Sequence, residues 1–337
     1  MDYGWLVGDV VRSTFKDINA EVHEFEQSEP CRHVGFTMKK ALGYTQLVSI
    51  SLLAVLWAGC RSIPPAGVAD FSTGVSAAKI QSSLAFQGVT DLTSESIIDY
   101  AASQPTLVDT NFMPVLDPAS LAVWDKVFTA LQKYAQNLAL LTSPNLTKDY
   151  EDGMVNLAAE VTQVGGDLKR QKMISEVPAL SPSLSAAFTE LGDLLLRAKA
   201  QHDAKAVLVH TDPTIKTIFT TMADAIGASR TKNLRGTVSA HWDQRKAVLQ
   251  GGFLARTNTP ADRRTFAAQY ASALNGQISQ DLALASLQRS FLALVDAHHA
   301  LAQGSNPGAA VALAAVEQEV QNTQNLINRF NSIPRAN

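Results

Sequence analysis

Apolar residues recur at alternating steps of three and four along most of the chain beyond residue 70. This spacing places them on one face of a helix, with a period close to that of a coiled-coil seam. No run alternates residue by residue as a half-buried strand would. The pattern predicts an all-α fold: an elongated helical bundle of about seven helices with coiled-coil-like seams. The predicted seams are Phe71, Val75, Ala78, Ser82, Ala85, Val89 and Leu92; Leu121, Trp124, Phe128, Leu131, Ala135 and Leu138; Tyr150, Met154, Leu157, Val161, Val164 and Leu168; Leu184, Phe188, Leu191, Leu195 and Ala198; Ile215, Phe219, Met222 and Ile226; Leu284, Leu287, Phe291, Leu294 and Leu301; and Leu313, Val316, Val320, Ile327 and Phe330.

Five dipeptides mark where helices are predicted to begin. Each joins a residue that can cap a helix N-terminus to a proline, which suits the first helical position because an N–H there has no intrahelical partner. They are Asp117-Pro118, Ser181-Pro182, Asp212-Pro213, Thr259-Pro260 and Asn306-Pro307. Gly227 and Gly236 predict a break in the segment from Asp212 to Gln250.

The composition is that of a folded chain and limits its partners. Of 337 residues, 46% are hydrophobic, which is enough for a sizeable core, and the net charge is -3. Because the chain has no basic excess, we expect no nucleic-acid partner. The two cysteines, Cys31 and Cys60, can build neither a disulfide framework nor a cysteine metal site.

A different pattern precedes the seams, from Met38 to Cys60. Lys39 and Lys40 follow the methionine, and an apolar segment runs over residues 47–57. A positive segment followed by an apolar one too short to span a bilayer of ~30 Å is the order of a secretory signal peptide.

The end of this segment resembles the lipobox of bacterial lipoproteins, in which small residues precede a cysteine that receives lipid and becomes the mature N-terminus. Ala58 and Gly59 match the two small positions before Cys60, whereas Leu56 lies one place earlier than the leucine usual in that family, with Trp57 in its place. The resemblance covers the signal alone. It implies lipidation at Cys60 and assigns no activity.

The residue after the cysteine bears on location. In proteins that resemble this one, an Asp at that position favours retention in the inner membrane, and here the residue is Arg61. The resemblance therefore implies the outer membrane, with the domain facing the periplasm. An uncleaved N-terminal helix in the inner membrane and a buried core helix remain the alternatives.

The chain thus divides into four predicted segments. Residues 1–37 are acidic, the wrong sign for the start of a signal peptide, so we expect either that Met38 is the true start or that this leader is disordered and lost. Residues 38–59 are the signal peptide, and 60–70 are the lipidated cysteine with a Pro- and Gly-bearing tether. Residues 71–337 form the helical bundle domain.

Catalytic motifs are missing from the sequence. It contains no nucleophile elbow, phosphate-binding loop, dinucleotide fingerprint or zinc-protease helix motif. His298 and His299 lie on a strong helix, and His202 and Asp203 on another, but the Glu-x-x-His pair of a di-metal bundle is missing. We interpret these histidines as structural, with a metal site as the alternative, and predict no enzyme activity, no cofactor and no metal.

One charge asymmetry stands out, a basic stretch from Arg230 to Arg264 with only Asp243 and Asp262 as carboxylates. Such a stretch could contact anionic phospholipid headgroups, a cell-wall polymer or an acidic protein surface, and the alternative is a solvated helix face. The candidate residues for an anionic partner are Arg230, Lys232, Arg235, Trp242, Arg245 and Lys246.

Three functions fit these features. The first is a membrane-anchored periplasmic lipoprotein, non-enzymatic, that acts as an interaction or structural component of the cell envelope through another envelope protein or an anionic polymer. The second is a helical-bundle protein that binds a small apolar ligand between its helices. The third is an enzyme of unrecognised type. The anchor, the tether and the seams without a catalytic motif favour the first.

Overall fold

All regular structure in the described residues is helical. The computed structural model describes residues 65–102, 104–112, 114–142, 148–171, 182–198, 203–255 and 259–331. These ranges contain eight α-helices, a short 3-10 helix at Asp109–Phe112 and no strand, which confirms the predicted all-α bundle. In chain order the helices are α1 (Pro65–Ala102), α2 (Pro118–Leu141), α3 (Lys148–Gln171), α4 (Pro182–Ala198), α5 (Ala204–Ile226), α6 (Asn233–Leu254), α7 (Pro260–Ala302) and α8 (Asn306–Asn331).

The chain divides into two units, Met1–Gly59 and Cys60–Asn337, and all eight helices belong to the second. The first of these helices begins earlier than the sequence predicted. α1 starts at Pro65, inside the segment interpreted as a tether, and Val68 is fully buried. Val68, Phe71 and Val75 follow at steps of three and four and are all buried, so packing of this face against the core stabilises the helix back to Pro65.

Four of the five predicted helix starts coincide with helices. Asp117 accepts the Ser120 N–H at 2.9 Å and caps α2, and α4 begins at Pro182. Thr259 at the N-cap and Asp262, three residues later, form a capping box at the start of α7. The start of α8 is at Asn306, one residue before its proline.

The fifth predicted start, at Asp212-Pro213, is wrong. α5 begins at Ala204 with Asp203 as its cap, and Pro213 lies in the helix interior. An interior proline loses one backbone hydrogen bond and costs ~3 kcal/mol. The apolar seam of α5 extends to residues before Pro213, where Val207 and Leu208 are fully buried. Burial of each side chain stabilises the helix by about 1.5–3 kcal/mol, which offsets the cost of the proline.

The predicted break between α5 and α6 occurs at one of the two glycines. Gly227 ends α5 with φ of 103°, a backbone conformation that side chains disfavour, and Asn233 opens α6 with φ of 50°. Gly236 lies inside α6. Only Leu234, Val238, Trp242 and Leu249 are buried along that helix, so it shows no apolar seam in the sequence. The described bundle therefore has one helix more than the seams indicate.

The predicted seams form the core. Where the structure describes their side chains, all members are buried except Leu121, Val320 and Ile327, which are half-buried. α7 packs against four of the other described helices, α1, α5, α6 and α8, and its 43 residues span roughly 64 Å. Among the described helices, none combines the length and the apolar character that crossing a membrane requires.

Candidate functional site

The predicted anchor lies outside the described residues. Cys60 and the signal positions Lys39, Lys40, Leu56, Ala58 and Gly59 all belong to that part of the chain, as does His202. The predicted surface for an anionic partner, in contrast, is described almost completely.

Arg230 and Arg235 both bind one carboxylate, that of Asp281 on α7. Arg235 donates from Nε to Oδ1 at 2.8 Å and from Nη2 to Oδ2 at 3.1 Å, and Arg230 Nε donates to Oδ2 at 2.8 Å. The side chains of Asp281 and Arg235 are each only 10% exposed. Burial opposes ionisation of Asp281, but the hydrogen bonds and charges of the two guanidinium groups outweigh it and lower the pKa of that carboxyl. The cluster ties the turn between α5 and α6 to α7.

Two of the other three cations of the predicted surface, Arg245 and Lys246, also have carboxylate partners. Arg245 lies 3.2 Å from Asp99 of α1, with its guanidinium over the ring of Trp242. Lys246 binds Asp243 at 2.8 Å and donates to Gln277 at 2.7 Å. Lys232 is exposed at the start of α6.

Trp242 is a core residue rather than an exposed aromatic one. It is 4% exposed, and its indole N–H donates to Gln280 Oε1 at 2.7 Å. Three arginines of the basic stretch, Arg230, Arg235 and Arg245, therefore pair with acids of α1 and α7, which lie far away in sequence and were missed for that reason. Arg263 and Arg264 are exposed. Binding of an anionic partner here stays a prediction.

A second polar cluster, the His298 network, crosses the core between α2, α5 and α7. The fully buried His298 lies with Nδ1 2.9 Å from Asp212 Oδ1 and Nε2 2.8 Å from the Tyr134 hydroxyl. That hydroxyl is 2.6 Å from Thr211 Oγ1, and His299 Nδ1 lies 2.7 Å from Asp212 Oδ2. The network thus runs from a buried threonine to a histidine that is 58% exposed.

The protonation states of the network follow from burial. Burial lowers the pKa of His298 although Asp212 opposes this, and hydrogen bonds, above all from His298, lower the pKa of Asp212. Burial also raises the pKa of Tyr134, so its hydroxyl keeps the proton. A neutral His298 then donates through Nδ1 to the Asp212 carboxylate and accepts a hydrogen bond from the Tyr134 hydroxyl at Nε2.

This arrangement stabilises the bundle and leaves His298 no atom with which to act on a substrate. A histidine held by a carboxylate is typical of a general base, but both ring nitrogens of His298 are engaged inside the core. The described residues contain no group of three or more His, Cys, Asp or Glu side chains placed to hold a metal ion. Asp203, singled out with His202, caps α5.

The sequence pattern did not predict a third feature, which we call the α7 ridge. It is an exposed apolar row on α7, formed by Tyr270, Leu274, Ile278 and Leu282. These side chains follow one another at steps of four and are each 37% to 42% exposed. No charged residue occurs from position 265 to position 280. Large apolar side chains in an uncharged, exposed stretch are typical of the central part of a protein interface.

Comparisons of the chain with protein-family models, with curated proteins and with solved structures each find no match. Its function is therefore argued from its own residues.

Proposed function

We propose that this protein is a lipid-anchored lipoprotein of the bacterial cell envelope that acts by contact with another envelope protein. The observation that carries the contact is the α7 ridge. The anchor rests on the resemblance of Met38–Cys60 to a lipoprotein signal.

The start of the described helical domain fits the anchor. The helical domain starts at Pro65, so only four residues, 61–64, separate the modified cysteine from α1. A lipid at Cys60 would hold this domain close to the membrane surface, where envelope proteins are concentrated.

The ridge favours a protein partner over an anionic polymer. A polymer would bind through cations, and four of the five cations of the predicted surface, Arg230, Arg235, Arg245 and Lys246, have carboxylate partners within the bundle. Side chains at steps of four on one helix form a row that fits the groove of a second helix. We therefore expect an apolar helix face on the partner.

Site-specific photo-crosslinking in the envelope tests this proposal. A photo-reactive phenylalanine analogue at Leu274 of the full chain is expected to form an adduct with another envelope protein. The same analogue at Asp296, an exposed polar position further along α7, should form none.

Matched substitutions distinguish specific binding at the α7 ridge from non-specific hydrophobic association. Ile278→Glu should abolish the adduct from position 274, whereas Val311→Glu on α8, which is 73% exposed, should leave it intact. An adduct with a second copy of this chain, or an adduct that survives Ile278→Glu, would contradict the proposal.

A further inference from the structure

A groove opens between α1 and α2 on a part of the bundle to which the proposed function assigns no role. Its volume is about 340 Å³, which is enough for a ligand with one ring. Three aromatic side chains that are only 1% to 7% exposed form its floor: Phe86, Trp124 and Phe128. The ring centroids of Phe86 and Trp124 lie 5.2 Å apart, and the half-buried Leu121 adds an apolar wall. Such a lining favours a ligand with a flat apolar ring.

One polar group of this floor is available to a ligand, the indole N–H of Trp124. The side chain is 7% exposed, yet its N–H is accessible to solvent and has no hydrogen-bond partner among the described residues. The other described tryptophan, Trp242, donates its N–H to Gln280 inside the core. A buried indole N–H usually has such a partner, and it can only donate. Trp124 therefore offers a donor to an oxygen placed in the groove.

The charges around the groove favour a cation. Of its three charged lining residues, Lys79 and Asp125 pair with each other at 3.0 Å, so their charges largely cancel. Lys79 Nζ also donates to Thr129 at 2.8 Å. Asp91, exposed at the rim, has no ion-pair partner among the described residues. The groove thus has a net negative charge, which attracts a cationic ligand and disfavours an anionic one.

We propose that this groove binds a small organic ammonium ion that carries one aromatic ring and a carbonyl oxygen. The oxygen accepts a hydrogen bond from Trp124 Nε1, the ring lies against Phe86 and Leu121, and the ammonium group pairs with Asp91. The three contacts together distinguish this class of ligand from amines without an acceptor and from neutral amides. The inference is independent of the α7 ridge and of the anchor at Cys60.

The indole N–H signals of the purified full chain, with tryptophan isotopically labelled, test the site by NMR. Trp124→Phe identifies the Trp124 signal by its loss. We expect para-(aminomethyl)benzamide, which carries the ring, the acceptor and the ammonium group, to shift that signal with a dissociation constant on the order of 1 mM, as a fragment of this size allows. The Trp242 signal should not move, because its N–H is bound to Gln280.

Two further probes separate the polar contacts. Benzylamine lacks the acceptor and should bind about threefold to tenfold more weakly, since it leaves the Trp124 N–H to water. The second probe, para-toluamide, lacks the ammonium group and should bind about twofold to fivefold more weakly, since the ion pair with the exposed Asp91 is lost.

Matched variants assign each contact to its residue. In Trp124→Phe a ring stays and the donor is removed, so para-(aminomethyl)benzamide and benzylamine should bind equally, as measured from the ligand signals. Asp91→Asn should weaken binding of para-(aminomethyl)benzamide about twofold to fivefold and leave that of para-toluamide unchanged. Asp70→Asn, at an exposed carboxylate near the start of α1, should change neither. Thermal melting of each variant confirms that it is folded.

Each of three results would overturn the inference. A Trp124 signal that does not shift with para-(aminomethyl)benzamide would exclude this ligand class from the groove. Equal binding of para-(aminomethyl)benzamide and benzylamine by the wild-type chain would show that the indole N–H plays no part. Equal effects of Asp91→Asn and Asp70→Asn would show a general influence of surface charge rather than a contact at the rim.

Discussion

At the scale of single residues, the His298 network shows how one apolar seam accommodates polar groups. His298 and Tyr134 are fully or almost fully buried, and each hydrogen-bonding atom described for them has a partner on another helix. Buried polar groups with complete hydrogen bonds stabilise a single arrangement of helices, whereas loss of one partner leaves an uncompensated group.

We expect Tyr134→Phe to lower the free energy of unfolding by about 1–3 kcal/mol, because His298 Nε2 loses its donor inside the core. Urea unfolding measures the change. Tyr270→Phe, at a side chain 37% exposed, serves as the control and should change stability by less than about 0.5 kcal/mol. Equal effects of the two substitutions would contradict the assigned role of Tyr134.

The same histidine predicts the direction of a pH dependence. Its pKa in the folded state lies below the ordinary value of 6.5, so on acidification the unfolded chain takes up a proton that the folded chain does not. The contribution of His298 to the free energy of unfolding is fully present above pH 6.5 and is lost as the pH falls from that value through the folded pKa. Asp212, with its pKa below 3.8, acts in the same direction at lower pH.

Urea midpoints between about pH 8 and about pH 5 measure this loss. In His298→Gln the amide can still donate to Asp212 and accept from Tyr134 but does not titrate, so we expect a shallower decline. A wild-type midpoint that rises on acidification, or an identical slope in the variant, would contradict the assignment.

At the scale of helices, the sequence pattern predicted the elements well and their polar contacts poorly. The seams and the capped prolines locate most helices, because both signals are local and depend on periodicity and backbone chemistry. The start of α5 was missed because Asp212 does not cap a helix. Its carboxylate instead binds His298 and His299 of α7, which are distant in sequence. The acids that pair with Arg230, Arg235 and Arg245 were missed because Asp99 and Asp281 come from other helices.

The Asp281 cluster provides a test at this scale. Asp281→Asn leaves the nearly buried Arg235 without its carboxylate, so we expect a loss of about 2–4 kcal/mol in the free energy of unfolding. Asp243→Asn breaks a pair whose acid is 62% exposed and should cost less than about 1 kcal/mol. Chemical denaturation of both variants gives the comparison, and similar losses would show that burial of the Asp281 pair does not matter.

Pro213 provides a second test. Its ring is exposed and interrupts the backbone hydrogen bonds of α5, so we expect Pro213→Ala to raise the free energy of unfolding by about 1–3 kcal/mol. Lower stability in this variant would instead mean that the proline is needed to hold Asp212 against His298.

At the scale of the whole molecule, the structure is a helical bundle with three surfaces of different chemistry. The predicted surface for an anionic partner has four of its five cations paired, the α7 ridge is apolar and uncharged, and the groove between α1 and α2 has an aromatic floor. The ridge and the groove could not be read from sequence, since both depend on which side of a helix its neighbours leave uncovered. A lipid at Cys60 would place all of them in one compartment.

The measurement that tests the central claim most directly is the intact mass of the membrane-extracted protein, expressed as the full chain in a Gram-negative host beside a Cys60→Ala variant. We expect a mature chain that starts at Cys60 and carries acyl groups, and we expect both the cleavage and the acyl groups to be lost in the variant. A full-length chain without acyl groups would contradict the anchor, and with it the assignment of this bundle to the cell envelope.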